Sequence, residues 1–484
     1  MQTPAVQVDP ITVELVHEGL IAIVREMRAN MMRIDRFGDD VHPGDIFLHN
    51  DPYTGGTHLN DVATIYPVFL DGRLFAFTVV RAHWGDVGGM TPGSISGQAT
   101  EIYQEGVRIP ILRAYDRGQP NQAVLDIIFA NVRGERQRWG DFTAMLVSCQ
   151  NAGRKLEAMA EKYGTATLRT CIPYYIARTE ARMRQQIAAV PDGTYTYEAY
   201  VESTGRALEP LLVRVALTVR GDEMRADFSG SSPQSDGPTN IGPAMPPTAV
   251  LTIAKSYLDP TPTVNHGALR PLGVHAPEGT LLNARHPAAC GGMSETRRTV
   301  DTVVMGALAA AVPEAATGDN RGTSNHTYIG GRDEHGGHFI FYEFPAGGTG
   351  AFGGGDGNNA VRNFQEGDFA SIQPIEAVEN EHPLRVERCA IRRDSAGAGR
   401  WRGGCGLLRD VRLLADRAVL SVLSERNILG PLGVCGGEAG AGNRFTVRRG
   451  GQEIEPSPIP GKVTGFARQR DDVIVMRTAG GGGY

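Results

Sequence analysis

Val62-Ala63-Thr64-Ile65-Tyr66-Pro67-Val68-Phe69-Leu70 and Leu74-Phe75-Ala76-Phe77-Thr78-Val79-Val80 are two β-branched and aromatic runs, separated by a turn that contains Asp71-Gly72. Such runs fit a pleated, half-buried surface, and Asp-Gly between them is a strong short-range hairpin signal. The chain is therefore read as strand-built at this point, with Asp45-Ile46-Phe47-Leu48 as a further strand just before the hairpin.

Outward from the hairpin the pattern alternates between strand and helix. Toward the N-terminus, Asp9-Pro10-Ile11-Thr12 and the following residues to Met32 carry apolar side chains at helical spacing after an early Pro, which predicts one amphipathic helix. Toward the C-terminus, residues Pro120 to Ala189 are rich in Arg, Glu, Gln and Ala with apolar residues three and four apart, predicting two long helices. After Pro191-Asp192-Gly193, alternation over Thr194–Val201 and Leu211–Val219, ending in Asp227-Phe228-Ser229-Gly230, predicts a small antiparallel sheet. Helices are predicted over about Pro246–Leu258 and Thr296–Ala311, around the extended segment Leu272-Gly273-Val274-His275-Ala276. Beyond Gly318 the chain returns to strands, glycines and polar turns without a repeat of fixed period. The expected class is α+β: a strand-rich, multi-domain fold with inserted helical segments, in regions 1–119, 120–190, 191–317 and 318–484.

Composition limits the function. With 484 residues, 41% hydrophobic and 21% charged, the chain has the content of an ordinary globular protein. A net charge of −6 supplies no broad basic surface, so no nucleic-acid partner is expected. No apolar run of membrane-spanning length and no signal-peptide pattern occur, and a cytoplasmic location without membrane contact is expected. Six cysteines, Cys149, Cys171, Cys290, Cys389, Cys405 and Cys435, include no C-x-x-C pair and read as reduced thiols. Cys290, in Ala-Ala-Cys-Gly-Gly, is a weak candidate nucleophile against a stronger packing reading. The 62 glycines are nearly twice the usual share and fall in clusters, which favours tight turns or close backbone packing over linkers. Whether the glycine-rich final third is an interface or a core is not decided by sequence.

The densest polar stretch is Asn50-Asp51-Pro52-Tyr53-Thr54-Gly55-Gly56-Thr57-His58-Leu59-Asn60-Asp61, answered across the hairpin by Arg81-Ala82-His83-Trp84-Gly85-Asp86. His58 and Asp61, three apart, converge on a helical turn or tight loop but not on a straight strand, and His83 ends the returning strand. Two imidazoles and a carboxylate suit a divalent metal, zinc or manganese with iron possible, with positions open to water or substrate. The competing reading has each histidine as a hydrogen-bonded loop residue. Asp51 and Asp86 are candidate orienting groups or further ligands. A second constellation comprises Asn265-His266-Gly267, Pro277-Glu278-Gly279, Gly291-Gly292-Met293-Ser294-Glu295-Thr296 and Asp301. Its glycines could present N–H groups to an anion, but Ser294 and Glu295 as helix caps is the stronger reading. No G-x-x-x-x-G-K-[ST], no strand–G-x-G-x-x-G–helix unit and no G-x-S-x-G are present, so this chain is not expected to bind ATP by those devices.

From near Asp9 to Tyr484 the sequence resembles the hydantoinase B/oxoprolinase family. The resemblance rests on Asn50 to Tyr53, Gly55 to Leu59 with Asp61, Arg81-Ala82-His83, Asp86-Val87-Gly88-Gly89, Pro92-Gly93-Ser94, Glu101-Ile102 and Gln104-Glu105-Gly106. Further along the chain it rests on Asp227 to Gly230, Gly322-Thr323-Ser324-Asn325, Pro383 to Glu387 and Gly480 to Gly483. It implies a division of labour in which an A-type partner, with an actin-like ATP fold, activates a lactam, hydantoin or ketone oxygen and the B-type subunit completes the reaction. It implies a metal on the residues matching His58, Asp61 and His83, and ATP used through the partner subunit of a hetero-oligomer. Asp86, as orienter or base, and Glu295 are the candidate catalytic residues. The expected function is ATP-dependent hydrolysis of a cyclic amide such as a hydantoin or 5-oxoproline. The alternatives are a ketone carboxylase subunit of acetone or acetophenone type, which Glu366-Gly367-Asp368-Phe369 mildly favours, and a non-catalytic assembly subunit. The chain departs from the family pattern between Ile34 and Asp35, where relatives carry several dozen further residues including another metal-binding glutamate, and after Tyr484, where relatives continue. These segments are expected to be omitted from the sequence rather than lost, and that glutamate is not carried over.

Overall fold

Asp71 and Gly72 both take positive φ, 50° and 70°, the conformation a two-residue hairpin turn requires. In the computed structural model, which describes residues 34–362 and 372–484, they join β2 (Asp61–Leu70) to β3 (Arg73–His83). With β1 (Ile46–His49), β4 (Leu112–Asp116) and β5 (Gln119–Pro120) these strands form an antiparallel sheet in the order β3-β2-β1-β4-β5. The helix predicted before Met32 and the stretch Glu366 to Phe369 lie outside the described residues.

A shorter helix, α1 (Gln122–Ala130), precedes the two long helices that the sequence predicts, which are α2 (Glu135–Tyr163) and α3 (Thr165–Ile187). Phe142, Met145, Cys149, Gly153 and Leu156 form the buried stripe of α2, at spacings of three and four that keep them on one face. That stripe lies on the hairpin so closely that a Cβ at Gly153 would stand 3.0 Å from the Tyr66 ring. The Thr78 hydroxyl on β3 donates to the carbonyl of Cys149 at 2.9 Å. Hydrophobic burial on both faces therefore fixes the hairpin in place, which matters because its open end carries the polar loop.

The second sheet corrects an expectation. β6 (Gly193–Val201), β7 (Leu211–Arg220) and β8 (Glu223–Asp227) are antiparallel, but β9 (Leu272–His275) joins β8 in parallel, after a crossover through α4 (Met245–Leu258) and the short α5 (His266–Leu269). A parallel partner needs such a crossover, and local alternation does not encode one. Against this sheet packs α6 (Met293–Ala311), buried nearly all round, and a Cβ at Gly306 would meet the Tyr197 ring at 2.4 Å.

The remaining strands are β10 (His326–Arg332), β11 (His338–Glu343), β12 (Leu384–Arg392), β13 (Gly406–Leu413), β14 (Arg417–Leu423), β15 (Arg444–Arg449), β16 (Gln452–Ile454), β17 (Lys462–Gln469) and β18 (Val473–Arg477). A helix, α7 (Ile375–Glu381), precedes β12. They make two sheets, β11-β10-β14-β17 and β12-β13-β18-β15-β16. Ile329, Phe341, Leu420 and Val422 of the first share one buried cluster with Val411, Val447, Ile474 and Met476 of the second, as in a sandwich.

The glycine clusters of this last third form a core. The final residues are a thread among the other glycine segments, and its amides bond to different neighbours. Gly481 N donates to Gly404 O, Gly482 N to Asp319 O, Gly483 N to Glu438 O and Tyr484 N to Trp401 O. Four residues of this thread, Gly480 to Gly483, are buried. With no Cβ in the way, backbones approach to distances that a side chain forbids.

Candidate metal centre

Asp61 opens β2 and His83 closes β3, and the two are direct partners in the hairpin register. His58 stands on the tight loop before Asp61, whose amide donates to His58 O at 3.1 Å. The structure thus brings together all three residues: one ligand atom from each of His58, Asp61 and His83 lies within 4.8 Å of the others, the one such cluster among the described residues. His83 Nδ1 is 3.1 Å from Asp61 Oδ1, His58 Nδ1 is 3.6 Å from Asp61 Oδ2, and the Thr57 hydroxyl donates to Asp61 Oδ2 at 2.6 Å.

A divalent cation fits this donor set. Burial lowers the basicity of His58 and keeps its ring neutral, the form that ligates. Burial alone would raise the Asp61 carboxyl, but His58, His83 and Thr57 outweigh it and hold the group below the usual carboxylate range. The Nδ1 atom of His58 is buried without a hydrogen-bond partner. A buried polar atom left so costs free energy unless something outside the protein satisfies it, and a cation would do so.

Three residues that sequence reading missed, Tyr328, Tyr342 and His326, complete the wall together with Ser294. Tyr328 Oη lies 3.1 Å from His83 Nε2, and the Tyr328 and Tyr342 hydroxyls interact through a hydrogen bond. Tyr342 Oη lies 2.9 Å from His326 Nδ1, and His326 Nε2 is 2.5 Å from Ser294 Oγ. A chain of hydrogen bonds therefore runs from Asp61 through His83, Tyr328, Tyr342 and His326 to Ser294. Tyr342 stacks on His83 at 4.9 Å and on Tyr328 at 4.4 Å. Burial pushes both phenols up, so they remain protonated donors, and pushes His326 well below its ordinary value. The signal available in sequence was position alone: His326 directly follows Gly322-Thr323-Ser324-Asn325.

The other candidates fall in different places. Asp86 is fully buried, and its carboxylate accepts from Gly88 N, Gly93 N, Arg133 N and Arg133 Nη1 at 2.7 to 3.1 Å. The base role expected of it thus finds its acceptor positions filled. Its loop is held against the site, since Gly93 O accepts from Asn60 and a Cβ at Gly93 would overlap the Tyr328 ring. Asp51 accepts from Tyr53 N and from Arg108, away from the triad. The cap reading of Ser294 and Glu295 is not what the structure shows. Gly292 is the N-cap of α6, Ser294 turns to His326, and Glu295 accepts from the Thr323 hydroxyl and from Ser324 N. Glu295 Oε1 stands 3.9 Å from His326 Nε2, and burial raises its carboxyl to about 7. Asn265 caps α5, Glu278 pairs with Arg285 at the surface, and Asp301 is buried between Arg297 and Arg298, so that constellation is dispersed.

Cys290 is buried among Leu48, Trp84 and Phe129, and burial raises its thiol well above the ordinary value, which makes it a packing residue. Beside it Glu105 is fully enclosed and accepts from Cys290 N and Gly291 N. Burial outweighs those bonds and raises Glu105 to about 8 from 4.5. A folded-state value above the unfolded one favours the protonated native form, so its contribution is complete below about pH 4.5 and is lost as pH rises through about 8. Glu105→Gln removes the titration, although its amide nitrogen can accept from neither Cys290 N nor Gly291 N, so the comparison reads the pH dependence of the difference rather than its absolute size. The melting temperature of the wild type relative to Glu105→Gln is expected to fall progressively between pH 5 and 8, by an amount equivalent to a few kcal/mol. Parallel melting curves across that range would count against a buried, titrating Glu105.

The model of the family described as hydantoinase B/oxoprolinase matches residues 34–484. A putative B-type subunit of a D-/L-hydantoinase from Pseudomonas sp. is 31% identical over 92% of this chain and 76% of its own length. The crystal structure of ATP-dependent caprolactamase from Pseudomonas jessenii superposes with a TM-score of 0.89 at 25% identity, covering 99% of this chain and 91% of the other. Nucleotide-free acetone carboxylase superposes at 0.83 with 22% identity, over 98% of this chain and 68% of that one, and shows the shared α+β fold.

Proposed function

The chain belongs to the hydantoinase B/oxoprolinase family, and from that premise we propose that it is the B-type subunit of an ATP-dependent cyclic amide hydrolase. The observation that carries this reading is the assembly of His58, Asp61 and His83 around the orphaned Nδ1 atom of His58. Support also comes from the names of relatives, the B-type component of a hydantoinase and the beta component of a caprolactamase, both multi-subunit designations. An A-type partner would supply the ATP-binding machinery, activating the oxygen of a hydantoin, 5-oxoproline or related lactam.

His58, Asp61 and His83 would hold one divalent cation, zinc or manganese in preference to iron, which when bound polarises a carbonyl or lowers the pKa of water. The chain's own residues shape what surrounds it. Thr57 orients Asp61, Tyr328 orients His83, and Asp86 acts through its loop by fixing Gly93 under Tyr328. Glu295, held to Thr323 and Ser324, keeps a protonatable carboxyl beside His326. In the hydrolysis, water supplies the new oxygen on the activated carbon, the ring C–N bond breaks as the nitrogen takes up protons from water, and the phosphoryl group that activated the oxygen leaves as phosphate.

A ketone carboxylase component is the second reading, favoured by the fold shared with acetone carboxylase. Purified complex with an A-type partner separates the two when given ATP with a lactam, or ATP with a small ketone and labelled bicarbonate. Ring opening that requires ATP, without label incorporation, is the expected outcome; fixation of labelled carbon would replace the hydrolase reading with the carboxylase one.

A further inference from the structure

The site holds a second piece of chemistry beside the three ligands. Ser294 lies in the first turn of α6, half-buried, with its Oγ 2.5 Å from Nε2 of His326. The other nitrogen of His326 is 2.9 Å from Tyr342 Oη, and the two rings lie nearly parallel at 11°. His326 is itself placed by a left-handed residue, Asn325 at φ 56°, whose backbone is held by the Thr323 hydroxyl. Hydroxyl, imidazole and a third group that orients the imidazole make the arrangement expected of an activated nucleophile. The ring of His326 stands 6.4 Å from that of His58, so the pair lies directly beside the triad.

We propose that Ser294 is a nucleophile, with His326 as its base, acting on an activated acyl carbon held beside His58, Asp61 and His83. This rests on the reading of that site as one that processes an amide. The Ser294 Oγ–carbon bond forms while the proton of the hydroxyl passes to His326 Nε2. The bond from that carbon to the oxygen bearing the phosphoryl group breaks, His326 returning the proton to the departing phosphate; one water then adds to the imidate carbon and the ring C–N bond breaks as the tethered nitrogen takes up that water's protons, leaving the Ser294 ester. Water then adds to the ester carbon, giving its proton to His326, and the carbon–Oγ bond breaks as that proton goes back to Oγ. Tyr342 keeps His326 in the tautomer whose Nε2 accepts, and is a positioning residue.

A fluorophosphonate probe tests this on the full chain without partner, ATP or metal, because the Oγ–phosphorus bond forms as fluoride leaves and the proton goes to His326. About one label per chain on the peptide containing Ser294 is expected, absent in Ser294→Ala and slowed at least about 100-fold in His326→Gln. Melting curves of each variant show that it is folded, and Ser294→Cys, alkylated with iodoacetamide at the same position, reads the nucleophile where the Ala variant folds poorly. No labelling of the wild type, or equal labelling of Ser294→Ala or His326→Gln, overturns the proposal. Since the probe requires no metal, its failure leaves the metal-binding reading standing, and a metal-free protein that still labels at Ser294 separates the two in the other direction.

Discussion

Asp61→Asn is expected to abolish the proposed metal binding while leaving the apo protein folded. Asparagine keeps the shape of Asp61 and can still meet the Thr57 hydroxyl and His83 Nδ1, at 2.6 and 3.1 Å in the native protein. What it removes is the one negative charge among the three ligands, and a divalent site of two neutral imidazoles and an amide is a poor one. Elemental mass spectrometry should find about one equivalent of zinc, manganese or iron in the wild type and less than about a tenth of that in the variant. A cation that binds only the folded state stabilises it by about 4 kcal/mol at a thousandfold excess over Kd. Added metal should therefore raise the melting temperature of the stripped wild type and leave Asp61→Asn unmoved. Turnover of the complex should fall by about 10³-fold, since a metal supplies several kcal/mol of transition-state stabilisation at 1.36 kcal/mol per decade. Unchanged turnover in a metal-free variant would instead support a non-catalytic assembly role.

The triad was legible because it is local. A hairpin turn of two residues fixes the register of β2 on β3, so Asp61 and His83 must face one another, and a tight loop returns His58 to them. Nothing local specifies the opposite wall. Tyr328 reaches His83 from 245 positions away, and Ser294 reaches His326 across 32, between a helix and the first residue of an interior strand of another sheet. Reading Ser294 and Glu295 as helix caps followed the usual local preference, and tertiary partners overrode it because His326 and Thr323 offered them bonds that a cap could not. The parallel entry of β9 escaped for the same reason, since its partner is fixed by a crossover through two helices rather than by its own alternation. Burial of Asp86 behind Gly88, Gly93 and Arg133 likewise depends on a helix start some 47 positions later.

Gly481→Ala should prevent the chain from reaching its native state. An added Cβ would stand 1.9 Å from Thr349 O, 2.3 Å from Thr349 C and 2.8 Å from Gly350 N, all backbone atoms with no flexible end to swing aside. Relief requires the threads to part, and parting breaks the bonds from Gly481 N to Gly404 O and from Gly397 N to Gly481 O, each 2.8 Å. Overpacking alone costs about 1–3 kcal/mol, and each buried backbone group left unpaired adds about 1–3 more. The sum reaches the range that only a few mechanisms produce, against a total stability of about 5–15 kcal/mol. Insoluble protein, or a melting temperature lowered by more than about 10 °C, is expected. Gly140→Ala is the matched control: it lies exposed within α2, nothing stands within 4 Å of its Cβ position, and the exchange should stabilise by up to about 1 kcal/mol. If both variants melted like the wild type, the glycine clusters would have to be a loose surface feature rather than the packed centre that Gly480 to Gly483 form with Gly348, Gly397 and Gly403.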